Sequence, residues 1–275
     1  MATSVARSSA PPRSTRNDVS DPLRTAELTV IGQVTTASNV TLVCETGEDG
    51  PRVVYKPVRG ERPLWDFPDG TLAAREVASY LVSQALGWGV IPETVLRDGP
   101  LGPGMVQRWI DVVEDTDGPD LVDLCPVGEV PAGYREVLRA LDPGGHPVSL
   151  VHAEDPGLVR MAVLDVLINN ADRKGGHALA GADGRVYGVD HGICLHAEPK
   201  LRTVLWGWAG ERIAEELLTD ITVFVKALPG ELGERLAELI TDAEIEALEA
   251  RGRALLDNPV MPMPASQRPI PWPAF

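Results

Sequence analysis

The segment that most restricts this chain is LVRMAVLDVLINNADRKGGHAL, residues 158–179. Apolar residues at 158, 161, 164 and 168 repeat with the period of a helix and require a core along one face. That helix delivers Asn169, Asn170 and Asp172 onto a glycine-containing loop, where such a polar cluster has no packing purpose. His177 follows five residues after Asp172. A short gap later, VYGVDHGICL runs an apolar strand into Asp190, His191 and Gly192. Carboxylates on loops at the ends of regular elements suit phosphoryl transfer. One receives or orients the hydroxyl proton, and the other holds Mg²⁺ against the phosphates. Singly, Asp172 reads as a helix-terminus or turn residue and Asp190 as an Asp-x-Gly turn. Their joint occurrence favours chemistry.

The first half is strand-rich. AELTVIGQV and NVTLVCET alternate apolar and polar residues around an interrupting TTAS, and RVVYKPV follows the turn-forming GEDGP. These three runs predict an antiparallel meander. A loop with Pro63 and Pro68 leads to TLAAREVASYLVSQALG, a helix with Asp69 or Thr71 as N-cap and Gly87 as its stop. PETVLRD and GPGMVQRWI add two strands, completing a lobe over residues 25–110. Lys56 ends the third strand, where an inward-facing lysine is costly unless paired. Glu76, one turn into the helix, is placed to face it; a solvated surface pair is the plainer alternative. The TTAS turn has small hydroxyl residues that suit a phosphate cover, although it is not glycine-rich and carries no Walker motif.

Residues 111–257 read as a mostly helical second lobe. Residues 111–156 are acidic and rich in Gly and Pro, with a short helix expected around 133–141 and no order assigned to the rest. RVYGVDHGICL reads as a strand pair or strand–turn, and two amphipathic helices are expected near 211–227 and 231–256. Residues 1–24 read as a disordered leader. The proline-rich 258–275 cannot sustain a helix or a central strand, and reads as an extended surface segment or as a peptide for a partner.

Forty Asp and Glu against 25 Lys and Arg leave a net charge of −15. This argues against a nucleic-acid partner and against an anionic membrane surface. No apolar run approaches the roughly 18 residues of a membrane span. Cys44, Cys125 and Cys194 form no CxxC pair and fit a reducing cytoplasm. His177, His191 and His196 lack the H-E-x-x-H helix of a zinc hydrolase, and Ser149 with His152 forms no nucleophile elbow. Trp206 and Trp208 read as packing residues, and Cys194 as a small buried apolar one.

The Lys of YKP, the D-x-x-x-x-N-x-D-R pattern of Asp165, Asn170, Asp172 and Arg173, and the D-x-G of Asp190–Gly192 resemble the phosphatidylinositol 3-/4-kinase-like catalytic domain. The nearest flavour is that of type II phosphatidylinositol 4-kinases and HipA-like bacterial kinases, and of an actinobacterial family of phosphatidylinositol-kinase-like proteins. The resemblance spans about residues 28–225, with its specific motifs in 165–192. It implies an α+β, two-lobed protein-kinase-like fold, with an antiparallel-sheet N-lobe and a helical C-lobe, that uses ATP and Mg²⁺ or Mn²⁺. By position it makes Asp172 the catalytic aspartate and Asp190 the main metal ligand. Lys56 becomes the phosphate-contacting lysine, with Glu76 its partner. Gln107 and Trp109, in VQRWI, fall at the adenine hinge.

Two positions depart from that pattern. His177 stands where the family places the metal-binding Asn, and imidazole shifts preference toward Mn²⁺ or weakens catalysis. Lys174 stands where many relatives carry His, and either neutralises developing charge or is merely exposed. The expectation is therefore a cytoplasmic kinase acting on a hydroxyl of a protein, lipid or small molecule. A nucleotide-binding pseudokinase and an AMP-transferring enzyme are the alternatives.

Overall fold

The computed structural model describes residues 22–35, 37, 39–48, 50–113 and 118–275. The expected leader, as far as residue 21, lies outside the described residues, as do Thr36 and Ser38 of the TTAS turn. The leader reading ended too late. Pro22–Thr25 form a helical turn, α1, because Leu23 is fully buried against the sheet.

Five strands follow: β1 (Leu28–Gln33), β2 (Leu42–Thr46), β3 (Arg52–Pro57), β4 (Thr94–Gly99) and β5 (Gly102–Arg108). They form one antiparallel sheet in the order β1-β2-β3-β5-β4. Alternation divides its two faces. Val53, Tyr55 and Val106 join Leu23, Leu28, Leu42, Cys44 and Val95 in a small core. Val54 and Lys56 take the opposite face, beside their cross-strand partners Val43 and Met105.

Helix α2 (Leu72–Ala85) lies on that second face, where Ala73 and Val77 pack on Met105. Of the two cap candidates Thr71 is the one used, its hydroxyl accepting from the Ala74 amide at 3.0 Å. The Glu61 carboxylate accepts from the Leu72 and Ala73 amides at 3.0 and 2.8 Å. Gly87, at a φ of 72°, lets the chain turn away.

The second lobe contains α3 (Pro156–Leu167), α4 (Glu215–Ala227), α5 (Glu231–Ala237) and α6 (Asp242–Asp257). Leu158, Met161 and Leu164 on α3 are fully buried. Each stabilises the fold by roughly 2 kcal/mol. The rear of α2, with Leu81, Val82 and Leu86, is built into this same core. The helix expected over 231–256 is two helices. Thr241 and Glu244 form a capping box that starts α6 afresh.

The stretch 111–156 departs most from expectation. It holds an antiparallel sheet, β6-β8-β7, of β6 (Val122–Pro126), β7 (Tyr134–Leu141) and β8 (Pro147–Ala153). The helix expected around 133–141 is β7. DPGGH after Leu141 is a hairpin turn. There the Asp142 carboxylate accepts from the His146 amide at 2.8 Å, and Gly145 has a φ of 81°. Once paired with β8, the ambiguous run YREVLRAL is a strand. Trp206 and Trp208 are buried in the second lobe, as expected. No helix among the described residues is long and apolar enough to cross a membrane.

Candidate active site

Between the two lobes lies a cavity of about 460 Å³. Its lining brings together Lys56 from β3, Glu76 from α2, Asp172, Lys174 and His177 from the loop after α3, and Asp190. These residues, all singled out in the sequence, thus meet in one place. A larger cavity, about 660 Å³ behind α2, holds none of them.

Lys56 is the hub. Its Nζ lies 2.7 Å from Glu76 Oε1 and contacts the Asp190 carboxylate as well. Burial works against the Lys56 charge, but Glu76 and Asp190 outweigh it and lift the pKa above the ordinary lysine value. Burial raises Glu76 above the usual carboxylate range, and the Lys56 ammonium offsets only part of that rise. The His191 amide also donates to Glu76 Oε2, at 3.1 Å. The charged pair is the state these partners favour.

Asp190 follows β10 (Val186–Gly188), which pairs with β9 (Ala178–Ala180). It adopts a φ of 58°. That region is strained, though aspartate tolerates it better than most residues. The flanking peptide groups hold it there. Arg173 Nη1 donates to the Val189 carbonyl at 3.2 Å, and the His191 amide is taken by Glu76. Burial opposes ionisation of Asp190, yet Lys56 and His177 keep its carboxyl well below the usual range.

His177 Nε2 lies 3.4 Å from Asp190 Oδ2. Burial depresses its pKa to about 4, with Arg173, Lys174 and Lys56 adding to the effect, so the ring is neutral near pH 7. Its Nδ1 is buried without a partner. Asp172 lies across the cavity, with Lys174 Nζ 3.7 Å from its Oδ2. Burial raises Asp172, partly offset by Lys174.

A buried polar knot positions the loop. The carboxylate of Asp165, on α3, meets Arg173 at 3.0 Å with both side chains fully buried. It also accepts from Asn170 Nδ2 at 2.9 Å and Thr203 Oγ1 at 3.0 Å. Asn170 Oδ1 then takes the Asp172 amide at 2.9 Å. Asp165, Asn170 and Arg173 are thus scaffold, and Asp172 alone of that motif faces the cavity.

Two expectations do not gather here. Gln107 and Trp109 do not line this cavity. Gln107 is buried mid-sheet between Val54 and Thr94, its amide donating to Thr94 Oγ1 at 2.8 Å. The Trp109 amide donates to the Arg52 carbonyl at 3.0 Å, and its ring lies under the Arg52 guanidinium. His191 is buried against Arg173, and among the described residues no group of three His, Cys, Asp or Glu could hold a metal unaided. Sequence reasoning also missed Glu61, Arg75 and Phe275. Glu61 and Phe275 line the cavity, while Arg75 was missed because its partners in the second lobe, Glu244 and Cys194, are distant in sequence.

No protein-family model matches this chain. Among solved structures, that of the golgi casein kinase superposes with a TM-score of 0.50 at 15% identity, covering 86% of this chain and 72% of that one. The Helicobacter pylori proinflammatory kinase CtkA aligns with a TM-score of 0.46 at 12% identity, over 86% of this chain and 94% of its own. The first shows the fold to be kinase-like: an antiparallel-sheet lobe over a mostly helical one. Protein Rv2133c of Mycobacterium tuberculosis is 57% identical over 268 residues, which cover 94% of this chain and 96% of that protein, and the chain belongs to its family.

Proposed function

We propose that this protein is an ATP-dependent phosphotransferase that moves the γ-phosphoryl group to a hydroxyl acceptor. The observation that carries this reading is the convergence of Lys56, Glu76, Asp172, His177 and Asp190 on one cavity beneath the sheet. Within kinase-like proteins, the D-x-x-x-x-N-x-D-R pattern favours kinship with the phosphatidylinositol 3-/4-kinase-like and HipA-like groups.

Each side chain has a distinct task. Lys56, kept charged by Glu76, binds phosphate oxygens at the roof. Val34 and Val40 line the cavity from the same lobe and offer an apolar cover for adenine. Asp172 orients the acceptor hydroxyl and takes its proton as the oxygen reaches phosphorus, and Lys174 offsets charge developing there. Catalysis on this reading is alignment and charge stabilisation.

A divalent cation fits the donors present. Asp190 and His177 are two donors from the protein, and Mg²⁺ or Mn²⁺ in such sites completes its shell with substrate phosphates and water. The neutral imidazole, its Nε2 toward Asp190, suits Mn²⁺ better than Mg²⁺. When bound, the ion neutralises phosphate charge and aligns the leaving group. Three free cysteines fit a cytoplasmic setting.

Thermal shift with ATP and Mn²⁺ or Mg²⁺, followed by transfer from γ-labelled ATP, tests the reading. Stabilisation by nucleotide plus label on an acceptor supports it, and absence of nucleotide binding ends it. His177 in place of Asn supports a second reading, a nucleotide-binding pseudokinase, for which binding without turnover is the signature. AMP transfer is separated by the mass added to the product.

A further inference from the structure

The proline-rich segment reaches the candidate site. It is fastened along its length: Met261 exchanges backbone hydrogen bonds with Glu211 and Gly210 at 2.9 Å. The Thr203 amide and Trp206 Nε1 both donate to the Pro269 carbonyl, at 3.0 and 2.9 Å. Ile270 and Ala274 pack on the core of the helical lobe. The last tie is to the catalytic loop itself, where the Gly175 amide donates to the Ala274 carbonyl at 2.8 Å.

These ties set Phe275 on the cavity wall with Asp172, Lys174 and Gly176. Its ring rests on Gly175, where any Cβ would overlap it, so this contact requires glycine. The Lys56–Asp190 end of the cavity is the one whose charges suit phosphates. The phenyl ring that lines the cavity together with Asp172 is that of Phe275, about half exposed, and an acceptor approaching Asp172 meets it.

We infer that Phe275 is the acceptor-side wall of the cleft, a specificity-determining residue that receives an apolar flank of the acceptor and shields Asp172 from bulk water. This rests on the phosphotransferase reading above. Without the wall, water competes as acceptor. Water oxygen bonds to the γ-phosphorus as the bond to the β–γ bridging oxygen breaks. ADP leaves with that electron pair, and the water proton passes to Asp172.

The test is a double-mutant cycle on the full chain. Phe275→Ala should raise ATP hydrolysis several-fold, with the affinity for mant-ATP unchanged. Gly175→Ala, which displaces the ring, should do the same, and the double variant should add little. Unchanged hydrolysis in Phe275→Ala, or effects that multiply in the double variant, would overturn the proposal. A readout free of nucleotide is N-ethylmaleimide labelling of Asp172→Cys, resolved by peptide mass from the native cysteines, at a side chain only about one quarter exposed. Labelling should quicken several-fold when Phe275→Ala is added, and equal rates overturn the wall. If the unsubstituted chain neither binds mant-ATP nor hydrolyses ATP, the phosphotransferase reading falls while the labelling still decides where Phe275 stands.

Discussion

Arg75 on α2 meets Glu244 on α6 at 2.7 Å, with both side chains almost fully buried. Arg75 also donates to the carbonyls of Cys194 and Asp69, at 3.0 and 2.9 Å. The helix that carries Glu76 is therefore clamped to the second lobe by the residue preceding it. Glu76 meets Lys56 without any movement of α2. Removing one partner of a buried pair leaves the other charge stranded. Arg75→Ala should cost about 3 kcal/mol in urea unfolding, and nucleotide affinity should fall with it. An unchanged unfolding midpoint would refute the clamp.

Asp172 separates chemistry from folding. Its side chain is about one quarter exposed, and its ion pair, to Lys174 at 3.7 Å, stays within the same loop. Asp172→Asn should lower phosphoryl transfer by on the order of 10³-fold. Nucleotide affinity and the melting temperature should stay close to those of the parent. Retained turnover would remove Asp172 from its role.

Arg173 is the opposite case. Its fork spans the fully buried Asp165 carboxylate and the carbonyls of His177 and Val189. Lysine cannot supply that planar set of donors. Arg173→Lys should destabilise the protein by about 3 kcal/mol and reduce turnover by misplacing Asp190. Calorimetry alongside a transfer assay reads both effects.

His177 predicts a pH dependence. Its folded pKa, about 4, lies below the ordinary histidine value of 6.5. The unfolded chain therefore takes up the proton first as pH falls. Stability is fully present above pH 6.5 and declines between 6.5 and 4, by about 3 kcal/mol from this group. His177→Asn should remove that component in unfolding experiments with EDTA present. The same substitution should shift nucleotide-dependent thermal stabilisation from Mn²⁺ toward Mg²⁺. A metal preference that does not move would exclude His177 as a ligand.

Several elements were legible because their signals are local. Alternation in RVVYKP set the face of Lys56, the 3.6 period in LVRMAVLDVLINN set the buried face of α3, and Thr71 and Gly87 bounded α2. The run YREVLRAL misled because its apolar residues fit neither period cleanly, and pairing with β8 decided it. Gln107 and Trp109, which the resemblance put at the adenine hinge, do not line the cavity, and Gln107 lies on β5, which has neighbours on both sides.

The sequence alone determined which residues have chemical capacity, since residue type, spacing and nearby turns are written along the chain. It put Lys56 at a strand end, Glu76 one turn into a helix, and Asp172, His177 and Asp190 on loops that follow regular elements. Only the tertiary structure decided the Arg75–Glu244 clamp, the Asp165–Arg173 burial and the seat of Phe275 on Gly175. Arg75–Glu244 and Phe275–Gly175 join segments far apart in the chain, whereas Asp165 and Arg173, 8 residues apart, meet because the loop after α3 folds back on its own helix. Burial and charge pairing depend on distances through space, which no local pattern encodes.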